Sequence, residues 1–146
     1  MKYKKSAKRV MVFGCFDMIH KGHIHFLKQA KNKGNYLIVV LGRDKTVEFV
    51  KGEKPFFTEL KRKKQLEAIP LVDKVVLGRV IDKYEVIEKH KPHIICLGYD
   101  QKAFTDSLKN ELAKRKISAR VLRLKPYKPA VFKSSKIKKR LKLAVN

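Results

Sequence analysis

Residues 13–26 read FGCFDMIHKGHIHF and place three histidines within six positions, between an apolar run and a basic, helix-like stretch. Imidazoles in such a cluster ligate a metal, fill a core as hydrogen-bonded rings, or donate to an anion. A zinc site would take His20 and His23 with two more ligands. Their spacing is not that of a paired Cys or His module, and no partner cluster lies downstream. His25 suits a hydrogen-bonded place in the core. His20 and His23 instead flank Gly22, where strand gives way to helix. A glycine there lets another group come close to the backbone, and the unpaired amides of a helix start favour an anion. Two imidazoles added to those amides make a donor-rich cradle for phosphate.

Such a turn needs a scaffold that presents it at a crevice. Apolar, β-branched runs recur at 9–14 (RVMVFG), 36–42 (YLIVVLG), 74–78 (KVVLG), 93–98 (HIICLG) and 119–124 (ARVLRL), and all but the last end in glycine. Between them, helical spacing sets Leu60, Gln65, Leu66 and Ile69 behind a Thr58 cap. It sets Leu108, Leu112 and Ala113 behind Thr105 or Asp106, and predicts a shorter helix over 83–90. Continuous apolar strands separated by helices predict a parallel sheet covered on both sides, because polar alternation survives only where one face meets water. The expected class is α/β: a Rossmann-like, doubly wound sheet of five parallel strands with helices on both faces. Ligands of such sheets sit beyond the carboxyl ends of the strands, where the strand order reverses. Asp44, just past the second run, would then bond a ribose or cap the next helix, and Cys96 reads as strand core.

At 146 residues the chain fits a single domain, 1–146, long enough to bury roughly two-thirds of its unfolded surface. Apolar residues make up 44%, yet no span approaches the roughly 18 needed for a membrane helix. The opening MKYKKSAKRV lacks the apolar region and small-residue cleavage site of a signal peptide, so a cytoplasmic protein with no membrane partner is expected. Two cysteines far apart in apolar runs imply no disulfide framework. The net charge of +24 attracts polyanions. Lysines are scattered throughout and thicken at KYKKSAKR and KSSKIKKRLK instead of forming a stripe with interleaved aromatics. That layout reads as a solvated surface or as a nonspecific nucleic-acid patch.

The strand VMVFG followed by CFDMIHKGH resembles the H-x-G-H signature of the nucleotidylyltransferase superfamily, and further matches extend over nearly the whole chain. The resemblance implies transfer of a nucleoside monophosphate from ATP or CTP to a phosphate- or carboxylate-bearing acceptor, with release of pyrophosphate. It assigns His20 and His23 to the triphosphate and to charge developing at the α-phosphorus, with Cys15, Phe16, Lys21 and Gly22 around the nucleotide. A thiol donates weakly, so the backbone amide at Cys15 matters more than its side chain. KGEKP at 51–55 resembles the family's basic loop, led by Lys51. Arg62, in LKRKKQLEAI, matches a catalytic arginine that meets the β- and γ-phosphates. KSSKI at 133–137 resembles a Ser/Thr-rich helix start in which Ser134 and Ser135 hold phosphate, although Lys133 stands where relatives often carry another hydroxyl.

LGYDQ at 97–101, the NELAKRK stretch and KPYK at 125–128 are similar to the archaeal-type FAD synthase branch, an FMN adenylyltransferase. Under that resemblance Asp100 and Tyr127 belong to the nucleotide site. Glycerol-3-phosphate cytidylyltransferases share the turn, the arginine and the serine-rich start, so CTP-dependent transfer to such a phosphorylated alcohol is the alternative. A basic nucleic-acid-binding protein is the third reading. The resemblance further implies ATP and FMN as small-molecule substrates, Mg2+ as the divalent metal with no dedicated metal ligands assigned, and a homodimer. No catalytic nucleophile is needed. The acceptor phosphate already is one, so alignment and charge neutralisation suffice.

Overall fold

Neighbouring side chains on a strand leave opposite faces of a sheet, and here both faces are covered. Val10 and Val12 pack with Leu37, Val39, Ile94 and Cys96 in one core. Met11 and Phe13 pack with Ile38, Val40, Ile95 and Leu97 in the other. The structure of the chain, a computed structural model, describes residues 3–99, 101 and 105–126. Asp100, Tyr127, Ser134 and Ser135 therefore lie outside the described residues.

The strands are β1 (Arg9–Gly14), β2 (Tyr36–Leu41), β3 (Lys74–Leu77), β4 (Ile94–Leu97) and β5 (Arg120–Arg123). The helices are α1 (Lys21–Lys31), α2 (Asp44–Lys51), α3 (Glu59–Glu67), α4 (Glu85–His90) and α5 (Thr105–Lys114). All strand pairs are parallel and the order is β3-β2-β1-β4-β5. This is the expected five-stranded, doubly wound sheet. Leu27 and Ala30 of α1 and Leu66 of α3 cover one face. Val86 and Ile87 of α4 and Leu108 and Leu112 of α5 cover the other. The order reverses between β1 and β4, so the crevice opens at their carboxyl ends.

One expectation fails inside α3. Leu60 was placed on the same apolar face as Leu66, but it is 66% exposed while Arg62 is fully buried. Residues 60 and 66 stand about 240° apart around a helix, so both cannot face the sheet. The inward position next to Leu66 goes to the arginine. Cys96 is core as expected, and burial pushes its thiol up to about 11, which keeps it protonated and inert. No helix among the described residues is long and apolar enough to cross a membrane.

Candidate functional site

The turn after β1 is shaped by Gly14 and Phe16. Phe16 adopts a left-handed backbone (φ 47°), which folds its ring back over Gly14. A Cβ at Gly14 would lie 2.6 Å from that ring, so only glycine fits. The Phe16 ring is buried, with its centroid 5.4 Å from the His23 ring and 6.3 Å from Phe26. It supports His23 from behind. Gly14→Ala should lower stability by about 1–3 kcal/mol through this overpacking, read as a drop in the urea midpoint at constant slope.

The two motif histidines cap α1 with their own rings. His20 is the N-cap, and its Nδ1 accepts the Gly22 amide at 3.0 Å. The His20 amide in turn donates to Nδ1 of His23 at 3.2 Å. This is a capping box built from imidazoles instead of a hydroxyl and a carboxylate. It fixes chemistry as well as geometry. A neutral ring that accepts at Nδ1 carries its proton at Nε2, so each ring is a donor through Nε2–H. It also uses the His20 and Gly22 amides, so these two are not left for an anion.

The ring centroids are only 4.0 Å apart. Burial holds His23 down to about 3, helped by neighbouring His20 and by the Lys51 ammonium, and burial lowers His20 too. Both rings are therefore neutral near pH 7. An unfolded histidine titrates near 6.5. Between that value and about 3 the unfolded chain holds the extra proton, so stability is full above pH 6.5 and falls as the pH drops. Urea midpoints measured from pH 4.5 to 8 should show this slope, and His23→Asn should make it shallower.

The segment between α2 and α3 closes over the turn. Asp17, 1% exposed, accepts the Phe56 amide at 2.5 Å through Oδ2 and the Phe57 amide at 2.8 Å through Oδ1. Arg62 reaches the same place from α3. Its Nε donates to the Phe57 carbonyl at 3.0 Å, and Nη1 donates to the carbonyls of Cys15 at 2.8 Å and Gly42 at 2.9 Å. Nη2 pairs with Asp44 Oδ1 at 2.7 Å. The resemblance expects this guanidinium on a phosphate, whereas here it is fully buried and ties together the ends of β1, β2 and α3. Asp44, offered above as a ribose contact or helix cap, is the first residue of α2 and its carboxylate is held by Arg62; Arg43 is the N-cap.

At the β1/β4 crevice, Gln101 donates from Nε2 to the Phe13 carbonyl at 2.6 Å and accepts the Gly98 amide at 2.7 Å through Oε1. Arg123 locks this bridge by donating to the carbonyls of Gly98 and Gln101 at 2.7 and 3.0 Å. Thus Cys15, Phe16, His20, Lys21, Gly22 and His23 share one turn. Lys51, at the end of α2, is near enough for its charge to act on His23, and Arg62 lies beneath. His25 is half-buried against Gln29.

A family model described as cytidylyltransferase-like matches residues 11–140. The chain belongs to that family. Among relatives of this cytidylyltransferase-like chain, the FAD synthase of Thermococcus sibiricus is 45% identical over 136 residues, covering 92% of each chain. The FAD synthase of Aciduliprofundum boonei is 44% identical over 119 residues, covering 82% of this chain and 79% of its own. The crystal structure of the lipopolysaccharide core biosynthesis protein from Thermoplasma volcanium GSS1 superposes with a TM-score of 0.78 at 38% identity, covering 83% of this chain and 98% of its own.

Within this cytidylyltransferase-like fold, residue patterns alone did not disclose the parts played by Asp17 and Gln101. Asp17 sits inside the signature stretch, but its partners lie 39 and 40 residues away and are backbone amides, which leave no trace in side-chain type. Gln101 was visible as part of LGYDQ. Its reach to a carbonyl 88 residues earlier was not.

Proposed function

We propose that this cytidylyltransferase-like chain is an FMN adenylyltransferase, an FAD synthase that joins FMN to the AMP moiety of ATP. The observation that carries the reading is the imidazole capping box, which fixes two neutral imidazoles in the turn beyond the carboxyl end of β1, at the switch point of a family that transfers nucleotides. The relatives named FAD synthase favour FMN as acceptor and ATP as donor.

In the proposed reaction an FMN phosphate oxygen attacks the α-phosphorus of ATP, the bond from that phosphorus to the bridging oxygen of the β-phosphate breaks, and pyrophosphate leaves. Both products retain their phosphate charges, so the task is alignment and charge neutralisation. His20 and His23 donate to the polyphosphate, and Lys51 adds a positive charge beside them. Lys21, exposed at the start of α1, adds a second ammonium to the turn, and on the resemblance Cys15, Phe16 and Gly22 lie around the nucleotide. Arg62 contributes from below by holding the Cys15 carbonyl. Asp100, Tyr127, Ser134 and Ser135 are assigned to the nucleotide site on the resemblance.

Among the described residues no three His, Cys, Asp or Glu side chains converge to hold an ion. The turn's donors suit an anion, so a divalent ion such as Mg2+ belongs to this reading as part of the substrate, coordinated by the triphosphate. A homodimer in the cytoplasm completes the proposal. The surface charge would attract nucleic acid only nonspecifically.

The test is to incubate the purified protein with FMN, ATP and Mg2+ and to follow FAD and pyrophosphate, beside CTP with glycerol 3-phosphate. FAD formed from ATP is the expected result. Preference for CTP and the polyol phosphate would replace this reading with a cytidylyltransferase, and absence of pyrophosphate in every combination would end both.

A further inference from the structure

The chain between α2 and α3 carries a basic loop into the site, and its two ends are fixed by different means. At the near end, Gly52 takes a left-handed conformation (φ 80°) directly after Lys51, and its amide bonds the Glu48 carbonyl at 2.8 Å. At the far end, both oxygens of the buried Asp17 carboxylate accept successive amides of residues 56 and 57. A buried carboxylate is costly unless donors meet it, and hydrogen bonds to an ionised acceptor are the strong ones. The interaction is also directional. Two backbone amides pointing at one carboxylate leave the chain little freedom between Gly52 and Phe57.

The position of Asp17 in the sequence gives this latch its consequence. It lies three residues before His20, in the turn that carries the imidazole pair. Asp17 and Lys51 both act on the His23 ring, the carboxylate favouring its charged form and the ammonium opposing it. Turn and loop therefore meet at one histidine.

We propose that Asp17 is a positioning residue: it latches segment 52–57 onto the histidine turn, so that Lys51 is held where the nucleotide's polyphosphate meets His23. This rests on the nucleotide-transfer reading above. An asparagine at 17 keeps one acceptor but turns an N–H toward a backbone N–H, which undoes half of the latch while preserving size.

The experiment is a double-mutant cycle on ATP binding, measured by calorimetry for the wild type, Asp17→Asn, Lys51→Ala and the double variant, with thermal unfolding as a check on folding. Asp17→Asn and Lys51→Ala should each weaken ATP binding roughly tenfold, and the double variant should bind no more than about twofold more weakly than Lys51→Ala alone. A residue that merely stabilises the fold would give multiplying losses, and that outcome overturns the proposal. So does unchanged ATP affinity in Asp17→Asn. If Asp17→Asn does not fold, Phe56→Pro takes its place in the same cycle, because it deletes one of the two donors at a residue that is 59% exposed. Wild-type turnover separates the two claims. Non-multiplying losses without FAD formation keep the latch and sink the acceptor assignment, whereas FAD formation with multiplying losses sinks the latch alone.

Discussion

His23→Ala should reduce the rate of FAD formation by about 10²–10³-fold while leaving the protein folded. The expectation follows from what the ring does at each of its nitrogens. Nδ1 accepts the His20 amide, so the backbone fixes the orientation of the ring and leaves its proton on Nε2. A preorganised donor of this kind acts on charge that shifts toward the leaving pyrophosphate, and its loss falls on kcat more than on KM. Stability should change far less. Alanine leaves the His20 amide at a helix start without its side-chain acceptor, a capping loss of about 1 kcal/mol. Steady-state kinetics with both substrates, beside a thermal melt, measure the two effects separately. A kcat within threefold of the wild type in a folded variant would remove His23 from the chemistry.

Arg62→Met should destabilise the fold by about 3–5 kcal/mol, a large part of the roughly 5–15 kcal/mol that holds a domain together. The guanidinium is fully buried and donates to Cys15, Gly42 and Phe57 carbonyls and to the Asp44 carboxylate. Methionine keeps much of the stem's volume but strands three carbonyls and one carboxylate away from their donor. Arg62→Lys should recover little, because a point-like ammonium cannot span acceptors arranged around a planar fork. Urea unfolding of both variants tests this. The phosphate contact implied by the family resemblance makes the opposite forecast: Arg62→Lys would keep wild-type stability and lose affinity for ATP. The pair of measurements therefore decides whether this arginine acts on the nucleotide or on the frame that receives it.

A frame of this kind also explains how so basic a chain keeps an ordered site. Of its few carboxylates, Asp17, Asp44 and Glu59 are all engaged near the strand ends. Glu59 accepts from Arg43 Nη1 at 3.1 Å and from the Asp44 amide at 2.9 Å, while Arg43 Nε donates to the Gly78 carbonyl at 3.0 Å. The links run from β3 through the start of α2 to Arg62 and β1. Neutral imidazoles fit this setting, since two charged rings 4.0 Å apart beside Lys51 would repel before any anion arrived.

The sequence by itself determined the elements and their rhythm. Each β-branched run became a strand of a parallel sheet, most deeply buried in β1, β2 and β4 and more exposed in the edge strands β3 and β5, because continuous apolarity over five or six residues has few other uses in an α/β chain. It also placed the histidine turn, since a glycine between two imidazoles at a strand-to-helix boundary is a local pattern whose capping geometry needs only residues 20–23. Tertiary structure alone decided what those local features face. The resemblance set Arg62 on the β- and γ-phosphates from its place on a basic helix, and its part as a buried hub could not be read there because its acceptors come from residues 15, 42, 44 and 57. Asp17 and Gln101 gained their roles from backbone groups 39 to 88 residues distant. Periodicity reports which way a side chain points relative to its own element, and only the folded chain brings in the partner that gives the direction its meaning.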